Sequence, residues 1–241
     1  VLPMMKFLML SLVFTLLANH VFGFKQADLD KLKRTKECVS CDLSEADLSQ
    51  FDLKGANLKS ANLQGANLKR VVFANETLVK IINEWADERK KRARGRANLT
   101  YDQIKNLIVS MKKDEKFSVN LEDADLTMAN LKNANLTGAN LESAKLNGAQ
   151  LTDAKLSYSR LQSADLKGTN LFKARLLFAD LGSADLRQSN LEQADLFGAN
   201  LKSSKLASAN LRNAEIEQVN FEGARFCNTV MPDEQRIFKD C

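Results

Sequence analysis

Cys38-Val-Ser-Cys41 is the one stretch of this chain whose residue types and spacing match a reactive group, a dithiol redox centre. Such a centre needs an exposed, electropositive thiol at a helix N-terminus, and nothing around these residues supplies one. Cys227 and Cys241 lie far away, near the C-terminal end. The single histidine, His20, sits in an apolar N-terminal stretch. The rest of the chain therefore lacks the commonest general base and the commonest metal ligand. There is no Ser/His/Asp or Cys/His set, no four-cysteine zinc spacing and no glycine-rich phosphate loop. Carboxylates are abundant, but they recur singly on a regular surface with no cleft to shift their titration. The sequence predicts no enzyme, no cofactor and no metal.

The elements that carry these residues follow a period of five. Leu43, Leu48, Leu53, Leu58, Leu63, Leu68 and Phe73 form one run, with Cys38 in phase ahead of it. A second run goes from Leu121 every five residues to Leu211, then Ile216, Phe221, Phe226 and Met231. With the large residue called i, position i−2 is Ala in 16 of 21 repeats between 124 and 224, so it must be a crowded inner site. Five matches neither the helical period nor continuous strand alternation. It fits a short extended stretch and a corner, with i−2 and i inward, i−1 outward, and i+1 and i+2 turning the chain. Seven glycines occupy i+2, as a tight corner favours. One repeat cannot stand alone. Burying a Leu stabilises by roughly 1.5–3 kcal/mol, against roughly 5–10 kcal/mol of backbone entropy for five residues. Coils must stack.

The repeated Ala-Asp/Asn-Leu, as at Ala124-Asp125-Leu126 and Ala184-Asp185-Leu186, resembles the pentapeptide repeat family over about 38–73 and 119–231. The resemblance implies an all-β solenoid, a right-handed quadrilateral β-helix with four repeats per coil. Residues twenty apart then stack. One ladder at i−1 runs Asp125, Lys145, Asp165, Asp185, Lys205, Arg225, with opposite charges meeting at 125/145, 145/165 and 185/205. A neighbouring face runs Lys155, Arg175, Asp195, Glu215. The ends around Cys38-Val-Ser-Cys41-Asp42-Leu43 and Phe226–Asp233 are similar to those of exported bacterial members, known from cyanobacterial periplasm or thylakoid lumen. The family tail carries Gly after Met-Pro-Asp; here it is Glu234.

Met5-Lys6, the apolar run Phe7–Ala18 and Val21-x-Gly23 read as a secretory signal over 1–23, cleaved near Gly23. The run is short for a membrane span. The expected product is soluble and exported, periplasmic or lumenal, where disulfides persist. Cys38 and Cys41 face inward by register. A bridge between Cys227 and Cys241 would pin the tail over the last coil. All four cysteines read as structural, with their connectivity open.

Residues 24–37 include a short helix built on Leu29 and Leu32 that would cap the first coil, and 232–241 form a C-terminal cap tail. Coils 1 and 2 occupy 38–75 and the remaining coils 119–231. Eight repeats precede the break, so an insertion can leave and re-enter at one corner. Within 76–118, Leu78, Ile81, Ile82 and Trp85 share a helical face, as do Ile104, Leu107, Ile108 and Met111. Thr100 and Gln103 suit a capping box. An α-helical hairpin is expected. Its turn carries Arg89, Lys90, Lys91, Arg92, Arg94 and Arg96, suited to an anionic membrane or polymer.

Three function classes follow. The favoured one is a non-catalytic exported scaffold that binds an unknown protein partner through its faces or hairpin, with Trp85 and the basic turn as the candidate surface. The second is electrostatic docking to a membrane or anionic polymer. The third is the DNA-mimicking, gyrase-binding role of some family members. It needs an acidic cytosolic rod, whereas residues 121–226 hold 12 basic and 13 acidic side chains. Nucleic acid is not expected as a partner, and a monomer is favoured.

Overall fold

The structure is a computed structural model, and it describes residues 24–71 and 119–241. Each repeat contributes one bridge residue at i−1 and a turn at i+1 and i+2. Bridges join residues twenty apart in parallel, as in Asp125 to Lys145 to Asp165 and Asn170 to Asn190 to Asn210. Four five-residue sides therefore close one coil. The result is a right-handed, four-sided β-helix filled with leucine and alanine.

Three backbone bonds per repeat run between coils. In the repeat around Leu121 these are Leu121 N–H to the Asn140 carbonyl at 2.7 Å, Asp123 N–H to Glu142 at 2.9 Å and Asn120 N–H to Ala56 at 3.0 Å. A fourth, Ala124 N–H to the Leu121 carbonyl at 3.1 Å, closes the corner. Only the i+1 N–H is left over, and the i−1 side chain takes it. Asn120 Oδ1 accepts from Glu122 N–H at 3.1 Å, and Asp125 Oδ1 from Thr127 N–H at 3.0 Å. This Asx turn explains why Asp and Asn dominate i−1.

The corners are left-handed at i+2, including non-glycine residues such as Asp123, Ser143 and Lys173 with φ of 56°, 57° and 57°. The expected tolerance of glycine there holds, with positive φ at all seven. The inter-coil bond donated by the i+2 N–H holds the other residues in the same conformation. Gly198 has an additional steric reason, since a Cβ there would lie 2.5 Å from the Phe178 ring.

The insertion does not disturb the stack. Asn57, Asn62 and Asn67 bridge Asn120, Asp125 and Asn130, a constant offset of 63 residues. Lys59 and Glu122 add an ion pair across the junction at 2.9 Å. Re-entry in register is therefore as expected, while the hairpin expected at 76–118 lies outside the described residues.

Both ends are capped. Helix α1, Gln26–Thr35, buries Leu29 and Leu32 against the first coil. Its Asp28 carboxylate accepts from Asp42 N–H at 2.8 Å, and Lys25 N–H donates to the Asp42 carbonyl at 3.1 Å. Edge groups with no preceding coil are thus paired. At the other end β1, Thr229–Val230, pairs antiparallel with β2, Arg236–Ile237. The turn between them forms despite Glu234, which adopts φ 68° and pairs with Arg212 at 2.6 Å. Replacing Glu234 with glycine relieves about 1 kcal/mol of left-handed strain and forfeits an exposed pair of about 0.2–1 kcal/mol. Glu234→Ala forfeits the pair and keeps the strain. Thermal midpoints should rank Gly at or above wild type, and Ala below it.

Polar residues at i−2 face the core. Ser159 and Ser189 donate to the Leu156 and Leu186 carbonyls at 2.7 Å, and Thr169 to Leu146 at 2.8 Å. Among these inward hydroxyls, Ser204 Oγ is buried with no acceptor. Ser204→Ala should therefore raise stability by about 1 kcal/mol, and Ser189→Ala should bring no gain, read by denaturant titration.

Candidate interaction surface

The four sides differ in chemistry. Two opposite sides carry charge at i−1. One is the 125 ladder and the other runs Lys155, Arg175, Asp195, Glu215; it lies opposite the first and not beside it as the sequence reading expects, because residues thirty apart are one and a half coils apart. The remaining two are amide-rich. One runs Asn67, Asn130, Gln150, Asn170, Asn190, Asn210, and the other runs Asn57, Asn120, Asn140, Arg160, Asp180, Asn200, Asn220, its amides interrupted by one charged pair. Their carboxamides link successive coils, Asn140 Nδ2 to Asn120 Oδ1 at 3.1 Å and Asn210 to Asn190 at 3.3 Å. Following the charges alone misses these ladders. Their signal is present in the sequence, as Asn recurring at intervals of twenty.

The charge ladder is only partly an ion-pair ladder. Lys145 reaches Asp125 at 3.9 Å. Asp165 instead takes Asn147 Nδ2 at 2.8 Å, and Asp185 takes Arg187 of its own repeat at 2.5 Å. Closer donors occupy these two carboxylates: the Arg187 guanidinium of the same repeat on Asp185, and the Asn147 amide of the preceding coil on Asp165.

Among the described residues, every carboxyl whose titration is displaced moves down. Arg187 holds Asp185 below the usual carboxylate range, and Lys59 does the same for Glu122. Hydrogen bonds from Ser49 lower Asp47, and the Lys36 ammonium lowers Asp52. A general acid requires the opposite shift. Depressed folded values contribute stability above the ordinary carboxyl range, which is lost as pH falls through them. With His20 the single histidine, the thermal midpoint should be flat from about pH 5 to 8 and fall below about pH 4. A transition near pH 6.5 in a melt series would refute this.

Cys38 and Cys41 face inward, at the positions their register assigns. Cys38 and Cys41 are buried inside the first coil, with Cα atoms 5.2 Å apart, and Cys227 and Cys241 lie 4.9 Å apart. Both pairs lie within bridging distance. Trp85, Arg89, Lys90, Lys91, Arg92, Arg94 and Arg96 lie outside the described residues, as does the expected signal over 1–23. Among the described residues, no helix is long and apolar enough to cross a membrane, and no group of three His, Cys, Asp or Glu could hold a metal.

One corner breaks the outward rule. At i+2, Met128 is 62% exposed, but Tyr158 on another corner is 6% exposed. Leu177 and Phe197, at i+1 of the Tyr158 column, are also buried. Tyr158 stacks on Phe178 with centroids 5.0 Å apart, and Phe178 meets Phe197 edge-on at 5.6 Å. An aromatic ridge climbs the outside of the coil.

A family model described as pentapeptide repeats matches in eight copies, over residues 37–75, 117–156, 149–188, 174–213 and 194–231. Among curated proteins no relative matches. Among solved structures, the chain is similar to HetL, a pentapeptide repeat protein involved in heterocyst differentiation regulation from the cyanobacterium Nostoc sp. strain PCC 7120. Identity is 28% over 83% of this chain and 76% of that one, with a TM-score of 0.35. It is also similar to a pentapeptide repeat protein from the Arabidopsis thaliana thylakoid lumen, at 25% identity, 41% and 68% coverage and a TM-score of 0.31. QnrB1, a plasmid-mediated fluoroquinolone resistance protein, matches at 13% identity, 78% and 84% coverage and a TM-score of 0.24. The family match covers most of the described coils, and the bridges, corners and Leu/Ala core account for each repeated residue: the chain belongs to the pentapeptide repeat family.

Proposed function

We propose that this protein is a non-catalytic, exported interaction scaffold whose partner is another protein. The carrying observation is the pair of opposite amide faces. Their carboxamides are already fixed by Asx turns and inter-coil bonds, as at Asn140 and Asn210. A partner docking there meets polar groups whose ordering cost was met on folding, and that pre-organisation favours affinity. The signal-like pattern of 1–23 and the placement of all four cysteines in bridging pairs support export. Near-balanced charge over 121–226 argues against a DNA-mimicking role.

The test is crosslinked capture from the native envelope with three proteins: wild type, a deletion of 76–117, and Asn170→Lys/Asn190→Lys on one amide face. Loss of the same partner in the double variant alone supports the face. Loss in the deletion alone moves recognition to the insertion. A signal that survives both sinks the proposal. The six cations within 89–96 favour a second reading, docking on an anionic membrane or polymer. That binding would collapse with added salt over the ~10 Å screening length at 0.1 M.

A further inference from the structure

The two ends of the stack are finished differently. At the start, α1 lies over the first coil and buries Leu29 and Leu32. At the far end the tail turns back along Thr229–Val230 and is tied at Phe226 and Cys227. It pairs one side of the last coil and leaves the sides from 214 to 223 open. Ile216, Val219 and Phe221 are only half-buried there, whereas Leu196, Ala199 and Leu201, one coil below, are fully buried.

The backbone has the same gap. One coil below, the N–H groups of Leu196, Gly198, Leu201 and Ser203 donate to the Glu215, Glu217, Asn220 and Glu222 carbonyls at 2.9, 3.0, 2.8 and 2.8 Å. Their counterparts at Ile216, Gln218, Phe221 and Gly223 have no acceptor among the described residues, and the Ala214 and Val219 carbonyls have no donor. This is an unpaired strand edge with neither proline nor lysine, the residues that usually block one. Between 214 and 223 the side chains include three carboxylates, Glu215, Glu217 and Glu222, and no cation. Lys202 answers the last of them at 2.9 Å. Like charges facing across an interface cost affinity. The rim therefore disfavours the same edge of a second copy and favours a cationic strand.

We infer that this end is a docking site, separate from the amide faces, for an extended basic segment of another protein that adds one more level to the stack. The chemistry of the segment follows from the twenty-residue stacking. Apolar side chains cover Ile216 and Phe221, a small one covers Val219, and cations stand over Glu215, Glu217 and Glu222. Main-chain bonds to the open donors supply affinity, and the alternating side chains supply selectivity.

The synthetic peptide Ala-Lys-Leu-Lys-Gly-Ala-Asn-Leu-Lys-Gly places that pattern in register and serves as the probe, titrated into the full-length protein. Amide exchange at Ile216, Gln218, Phe221 and Gly223 should slow on saturation, and exchange at Leu29 and Leu32 should not change. Glu215→Lys/Glu217→Lys should weaken binding about tenfold or more, and a peptide N-methylated along its backbone should lose it. Asn170→Lys/Asn190→Lys should bind the peptide as wild type does, so failure of the amide-face reading and failure of this one are read separately. Unchanged exchange at the four amides in millimolar peptide overturns the proposal. Equal binding of the N-methylated peptide also overturns it, since charge attraction alone would then be at work. Protection of the four amides that appears without peptide and grows with protein concentration makes a second copy the occupant, and overturns it too.

Discussion

Leu171→Ala should cost about 2–5 kcal/mol, the range for a fully buried leucine whose surroundings cannot collapse. Leu171 is 0% exposed at a middle level of the stack. Its backbone is held by Leu171 N–H to Asn190 at 2.7 Å, and its neighbours by bonds to levels above and below. A globular core can shift to fill part of a cavity. Here each level is tied to the next at every fifth residue, so the void stays. The consequence is larger than the free energy alone. In a stack whose stability comes from neighbouring interfaces, a weak middle level separates the coils on its two sides. Denaturant unfolding of Leu171→Ala should move to a lower midpoint and broaden into two steps. Ile216→Ala, at a half-buried site near the end of the stack, should fray that end with little loss of cooperativity. A sharp single transition for Leu171→Ala, shifted by less than about 1 kcal/mol, would contradict the rigid-level account.

Cys227→Ser/Cys241→Ser should remove about 3 kcal/mol from the C-terminal cap, the loop-entropy value for a cross-link closing about fifteen residues. The two are separated by fourteen positions. Without the cross-link the tail keeps Thr229 paired to Ile237 and Val230 to Arg236, Arg212 on Glu234 at 2.6 Å, Arg236 on Asn228 at 2.7 Å, and Phe226 N–H to Asp240 at 3.4 Å. These side-chain contacts are exposed and individually weak, so the bridge is the strongest single tie on the tail. Beneath it lie the half-buried Ile216, Val219, Phe221 and Phe226, packed against the end of the core. Opening the cap exposes them together with an unpaired coil edge, a template for association. Amide exchange at Leu211 and Val230 should accelerate in the variant and in reductant, and light scattering on heating should begin earlier. Cys38→Ser/Cys41→Ser closes a far shorter loop and should cost nearer ~2 kcal/mol. Its neighbourhood keeps α1 and the Asp28 bonds. If exchange at Leu211 and Val230 is the same with and without the Cys227 pair, the cap does not depend on it.

Most of the coil is legible in the linear sequence. The strict register of Leu43 to Leu68 and Leu121 to Leu211 names the inward residues, because only a buried site demands a large apolar side chain every fifth position. Ala at i−2 and the glycines at i+2 name the crowded inner site and the corner in the same way. Eight repeats ahead of the break at Phe73 predict re-entry in register, and the bridge from Asn57 to Asn120 shows it. The pairing in the ladder is less legible. Asp165 and Asp185 stack beside lysines, yet Asp165 takes the Asn147 amide and Asp185 the Arg187 guanidinium, donors that reach the carboxylates in place of the stacked lysines. Linear sequence records which residues stack and not which way a carboxylate bends.

The sequence by itself determined the period, the inner and outer positions and the places of the ends, because burial is a one-dimensional signal when every repeat sees the same environment. Only the tertiary structure decided what the outer surface is. Closing four sides per coil put most of the asparagines at i−1 on two opposite faces, and it lined up Tyr158, Phe178 and Phe197, twenty and nineteen residues apart, into one ridge. Neither grouping exists along the chain. Both follow from winding it with a fixed twenty-residue turn, which brings residues from different coils within contact distance and leaves the face between them to be chemistry.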